Sequence, residues 1–137
     1  MGMVYADITL KNVKDIMKAE EGFIEESKIR QATVEALVDT GSGTLVINDT
    51  LRQRLGLDIM GERMATLASN IRERVRIADT VEVHWKERSM TCRPLVVSEG
   101  SEVLLGAIPL EDMDLMVDPT RQTLVGAHGD EIVTMIM

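Results

Sequence analysis

The chain has 137 residues, enough for one domain spanning 1–137, and 45% hydrophobic against 28% charged residues is a globular composition. A formal net charge of −8 argues against a nucleic-acid partner, because phosphate binding needs a basic surface. No apolar run approaches the ~20 residues of a membrane span, and Asp7, Lys11, Lys14 and Asp15 interrupt the N-terminus before a secretory leader can develop. With 2% aromatic residues the core must be built from Val, Leu, Ile and Met, and the ten methionines are expected to fill its gaps. The single cysteine, Cys92, cannot form an internal disulfide, so a cytoplasmic location is the default expectation.

In chain order, Met3 to Leu10 reads as a strand with Val4, Ala6, Ile8 and Leu10 on one face. Residues 12 to 28 are charged and suit an ordered excursion, with a helical turn over Val13 to Ala19 ending near Gly22. Ile29 to Val38 is a second strand running into Asp39, and Leu45 to Asn48 is a third. Asn48 or Asp49 can cap a helix through Thr50 to Leu55, which Gly56 terminates. Glu62 to Ile77 alternates well enough for two strands joined near Ala68-Ser69-Asn70, with Arg72, Arg74 and Arg76 on one solvated face. Thr80 to Trp85 and Ser89 to Val97 form an expected hairpin turning at Lys86-Glu87-Arg88, with Pro94 marking an edge or a bulge in its second arm. Val103 to Leu105 leads into a short helix over Ile108 to Asp114, followed by Leu115 to Val117 and Gln122 to Val125. The apolar Ile132 to Met137 is β-prone. Many short strands with frequent turns predict a mostly β fold, a small closed barrel with one or two short helices.

Two stretches carry chemical meaning. Asp39-Thr40-Gly41-Ser42 closes the apolar run Val34 to Val38, so a strand delivers a carboxylate into a tight glycine turn. Taken alone, these are also ordinary turn residues after a strand. Downstream, Val103-Leu104-Leu105-Gly106-Ala107-Ile108-Pro109-Leu110 supplies an apolar strand, a glycine and a helix start. The two stretches together, in this order and spacing, resemble the retropepsin-like, single-domain branch of the aspartic proteases, over roughly residues 3 to 126. The resemblance implies an acid-protease barrel, a catalytic role for Asp39, Thr40 and Gly41, and substrate contacts from Ser42, Gly43, Gly106 and Ala107. It also implies a covering hairpin with Leu67, Ala68, Ser69 and Asn70 at its tip, here without the glycine often found there. Viral members carry an acid and an arginine where this chain has Gly43 and Ala107, so both halves of that ion pair are missing together.

Amide hydrolysis without metal or covalent intermediate needs an activated water and an acid for the leaving nitrogen. Two carboxylates about 3 Å apart supply both, because they share one proton. With one Asp-Thr-Gly per chain, the second carboxylate must come from a second copy, which implies a homodimer cutting a peptide or protein substrate without a cofactor. Under this reading Thr40 bonds across the two-fold axis, Gly41 lets substrate approach, and the Ser42 hydroxyl donates to the outer oxygen of Asp39. The alternative is a catalytically weak or inactive peptide-binding or dimerisation module on the same fold. The remaining candidates are weaker: His84 and His128 are too isolated for a metal site. Cys92 lies in an expected strand and reads as a buried structural thiol rather than a nucleophile. Glu111-Asp112-Met113-Asp114 reads as an acid-rich helix start, where the macrodipole favours negative charge, rather than a calcium loop.

Overall fold

The computed structural model describes residues 2–136. Eleven strands and three α-helices follow the order β1 (Tyr5–Asn12), α1 (Val13–Glu20), β2 (Gln31–Val38), β3 (Leu45–Asn48), α2 (Asp49–Leu55), β4 (Ile59–Thr66), β5 (Arg72–Ala78), β6 (Val81–Trp85), β7 (Arg88–Cys92), β8 (Leu95–Val97), β9 (Val103–Leu105), α3 (Ala107–Asp112), β10 (Leu115–Asp118) and β11 (Thr123–Gly126). Nine strands make one sheet in the order β4-β5-β8-β3-β9-β2-β1-β6-β7, and β10 and β11 pair separately. The sheet curls into a half-barrel whose edge strands, β4 and β7, do not pair with each other, so the expected small barrel is open.

Local chemistry explains most elements. In β1, Ala6, Ile8 and Leu10 are buried while Asp7, Thr9 and Lys11 alternate outward, the two-residue period of a half-buried strand. The Asn48 side chain accepts from Leu51 N at 2.8 Å to start α2, and Gly56 ends it in the left-handed region at φ 67. Leu51 and Leu55 then face a core that also holds Ile8, Leu10, Ile47, Val83 and Leu105. α1 is a full helix rather than a single turn, capped by Asn12, whose side chain accepts from Asp15 N at 3.0 Å and donates to Leu55 O at 2.9 Å. It is the third α-helix, one more than the sequence suggested.

Four expectations need correction. The second arm of the 80–97 hairpin is two strands, because Pro94 cannot donate to a ladder and the chain leaves the sheet there. β7 stays at the edge beside β6, whereas β8 crosses to lie between β5 and β3. Arg88 opens β7 instead of sitting in the turn. It is buried, with its guanidinium donating to the carbonyls of Met113, Asp114, Gly129 and Glu131. The tail 132–136 forms no strand, with Ile136 at 92% exposure, and Met137 lies outside the described residues. The methionines are mostly not gap-fillers: Met90 and Met113 are buried, but Met3, Met17, Met60, Met64, Met116 and Met135 are exposed.

The start of β2, the strand that delivers Asp39, is fixed by an ion pair between buried Asp15 and half-exposed Arg30. Asp15 accepts from Arg30 N at 3.0 Å, Nε at 2.8 Å and Nη2 at 3.0 Å. Those hydrogen bonds hold the Asp15 carboxyl below the usual carboxylate range. A depressed folded value contributes stability above the unfolded range near pH 4 and loses it as pH falls through the folded value. Asp15→Asn should therefore lower stability at pH 7 by about 1–3 kcal/mol, with the gap to the native protein closing in acid. Urea denaturation at pH 7 and pH 3 checks this, and an equal gap at both values contradicts it.

Candidate active site

Asp39 follows β2 directly and begins a loop that returns as β3. β9 lies between those two strands, parallel to β2 and antiparallel to β3. The loop thus wraps the end of a central strand, and backbone hydrogen bonds strap it there. Asp39 N donates to Leu105 O at 3.0 Å, Ala107 N to Ser42 O at 2.8 Å and Ile108 N to Gly43 O at 3.1 Å. Within the loop, Ser42 N donates to Asp39 O and Gly41 N to the Asp39 carboxylate Oδ1, both at 3.0 Å. Gly43 and Ala107 therefore each take part in a backbone strap, Gly43 through its carbonyl to Ile108 and Ala107 through its amide to Ser42.

Gly106 is buried behind the loop. A Cβ built there would lie 2.5 Å from Ser42 O and 2.7 Å from Thr44 N, and closer still to Thr44 O. Its φ of −91 is ordinary, so the demand for glycine is one of space alone. Gly43 differs, because a Cβ there meets nothing within 4 Å. Gly106→Ala should cost about 1–3 kcal/mol by forcing the loop off the helix start. Gly43→Ala should stay within about 0.5 kcal/mol. Chemical denaturation of both variants checks the contrast, and equal stabilities would refute the close-packing account.

The loop forms the floor of a cavity of about 600 Å³ roofed by the β4–β5 hairpin. Asp39, Gly41, Ser42 and Gly43 line it from below, and Ala65, Thr66, Leu67 and Ala68 from above. Its walls are Val46, Val75, Leu95, Val97 and Leu104. Of the residues picked out in the sequence, Asp39, Gly41, Ser42, Gly43, Leu67 and Ala68 meet in this cavity. Thr40 is exposed and lines a second cavity, of about 520 Å³, on the other side of Asp39 together with Met3, Val4, Leu37 and Val117. Ser69, Asn70, Gly106 and Ala107 line neither cavity. The Ser42 hydroxyl donates to Thr44 O at 3.4 Å and forms no bond with the Asp39 carboxylate, whose Oδ1 accepts from the Gly41 amide.

Sequence reasoning missed the apolar walls. The signal was available in the alternation of β9, where Leu104 lies between buried Val103 and Leu105 and so points to the opposite face. The hairpin tip works without glycine for an identifiable reason. Asn70 N donates to Leu67 O at 2.9 Å and Leu67 N to Ile71 O at 2.8 Å, with Asn70 in the left-handed region at φ 68. This is a three-residue loop whose last position must be left-handed, and asparagine tolerates that better than other side chains. Asn70→Ala should destabilise the tip by about 1–2 kcal/mol, and Asn70→Gly should preserve it. Amide exchange at Leu67 and Ile71 reads this, and equal protection in both variants contradicts it.

Elsewhere the chemistry is quiet. Burial pushes the Cys92 thiol up to about 11, which keeps it protonated and unreactive at neutral pH. Among the described residues no group of three or more His, Cys, Asp or Glu side chains is placed to hold a metal ion. His128 Nδ1 lies 2.7 Å from Asp114, and His84 bonds Glu82, both distant in sequence from the loop.

The comparisons agree with this geometry. A family model described as aspartyl protease matches residues 26–127, and the chain belongs to that family. No curated protein matches the chain. Among solved structures, the retroviral protease-like domain of Ddi1 from Leishmania major matches 91% of this chain and 88% of its own length. The TM-score is 0.55 at 19% identity. A retropepsin-like aspartic protease from Rickettsia conorii matches 86% of this chain and 89% of its own, with a TM-score of 0.46 at 15% identity. Lpg0085 from Legionella pneumophila, whose function is unknown, matches 88% and 95%, with a TM-score of 0.47 at 11% identity. The fold is retropepsin-like, and the family is one of peptide-bond hydrolases. Among the described residues no helix is long and apolar enough to cross a membrane.

Proposed function

We propose that the protein is a homodimeric aspartic endopeptidase whose single active site forms on a two-fold axis from two copies of Asp39. The observation that carries this reading is that Asp39 lies between two cavities and is the sole carboxylate among the residues lining either one. One carboxyl cannot at the same moment be ionised to activate a water and protonated to polarise the scissile carbonyl. A symmetric copy supplies the second without any further acid from the same chain.

In the assembled site the two carboxylates share a proton across a bound water. The ionised one takes a proton as the water attacks the scissile carbonyl, and the protonated one donates to the carbonyl oxygen. Collapse of the tetrahedral intermediate transfers a proton to the departing amine. The Gly41 amide on Oδ1 fixes the rotation of each carboxylate, and the exposed Thr40 hydroxyl is free to bond the partner's loop. The apolar cavity takes the side chains flanking the cut, and closure of the hairpin excludes water. Exposed Met3 and Ile136, at 70% and 92%, mark terminal segments that a partner chain can cover.

The native protein should cleave an unstructured protein at mildly acidic pH, with inhibition by pepstatin-like mimics. Asp39→Asn should lower the rate by about 10³-fold or more while leaving the fold intact. Specific activity should fall on dilution as the dimer dissociates. Cleavage retained by Asp39→Asn would refute the mechanism, and peptide binding without cleavage by the native chain would favour a binding module instead.

A further inference from the structure

The β4–β5 hairpin differs in charge from the body it covers. Ile59–Ala78 carries Arg63, Arg72, Arg74 and Arg76 against Glu62 and Glu73, whereas the whole chain has a formal charge of −8. Two of these arginines are engaged, Arg74 with Glu62 at 3.6 Å and Arg76 with Asp49 at 2.8 Å. Arg63 and Arg72 are exposed and make no ion pair among the described residues, and Arg72, opposite Thr66, lies on the face of Met64 and Arg74.

The register decides which arginine meets the cleft. Arg63 pairs with Val75 and Ala65 with Glu73, so these four side chains share one face, and Met64, Arg74, Glu62 and Arg76 share the other. Val75 and Ala65 line the apolar cavity, which identifies the first face as the inner one. The acid on that face, Glu73, makes no ion pair with Arg63 among the described residues and lines a separate cavity with Arg74, Val75 and Ser98. Arg63 is therefore the unpaired cation on the inner face, one two-residue step, roughly 6.6 Å, from Ala65.

We propose that Arg63 selects substrates with an acidic side chain two residues from the aliphatic position seated against Ala65 and Val75. The inference rests on the cleft being a peptide channel. An extended peptide repeats its side chains every two residues, so the side chain after the one in the apolar cavity on the same face arrives beneath Arg63. The negative body does not override this, because charges beyond a Debye length of about 8 Å are screened at physiological salt, while a contact pair is not. The preferred substrate is thus an acidic, aliphatic segment rather than a purely apolar one.

The test measures binding separately from cutting. Fluorescein-labelled Ala/Ser decapeptides with a central Val-Val pair, carrying Glu, Gln or Lys at each position in turn, are titrated by fluorescence anisotropy onto full-length Asp39→Asn. One position should favour Glu over Gln by about three- to fivefold, the scale of an exposed ion pair, with Lys weakest and the preference fading in 0.5 M salt. Adding Arg63→Glu should reverse the order to Lys over Glu at that position, and Arg63→Ala should abolish it. Equal binding of all three peptides, no binding of any, or a Glu preference that survives Arg63→Glu overturns the proposal. Cleavage by the native chain with no charge preference would remove Arg63 alone, whereas a charge preference without cleavage would remove the endopeptidase reading and leave Arg63 standing.

Discussion

The placement of Asp39 depends on Gly106 having no side chain. The loop that carries the carboxylate lies directly on that residue, and a Cβ there would meet backbone atoms of Ser42 and Thr44. Contact this close lets the amides of Ala107 and Ile108 reach the carbonyls of Ser42 and Gly43. Backbone-to-backbone straps cost little side-chain entropy, so they hold a loop more rigidly than a surface ion pair would. The chain thus lacks a charged pair at Gly43 and Ala107 and still presents a fixed carboxylate.

The rest of the fold serves that junction. β9 is central because it must bond β2 on one side and β3 on the other, which draws both ends of the Asp39 loop together. Asn12, Asp15 and Arg30 secure the start of β2, and the Asn48 side chain donates to Ser101 O at 3.0 Å, tying the end of β3 to the approach to β9. The hairpin above the loop is little buried, with Leu67 to Arg74 all exposed, which suits the covering role that the proposed function gives it.

How much was legible follows the range of the interactions. The alternation of Ala6, Ile8 and Leu10, the Asn48 and Gly56 caps, and the strand-turn unit ending at Asp39 are local signals and read correctly. The packing of that unit against Leu104-Leu105-Gly106 was implied by the family resemblance, which the order and spacing of the two stretches carried. Arg88 was misread as a turn residue because its partners, the carbonyls of Met113, Asp114, Gly129 and Glu131, are far away in sequence. The split at Pro94 was half visible: the residue flagged an interruption, but only tertiary pairing shows β8 crossing to β5 and β3. The resemblance assigned the Ser42 hydroxyl to Asp39, whereas its partner is Thr44 O, a contact set by the turn geometry rather than by residue type.

The central claim is that one site is shared by two chains. Calorimetric titration of the native protein with a pepstatin-type inhibitor tests it directly, since the stoichiometry reports how many chains complete a site. One inhibitor bound per two chains is the predicted result. One per chain, or no binding at concentrations where the protein is dimeric, would contradict it.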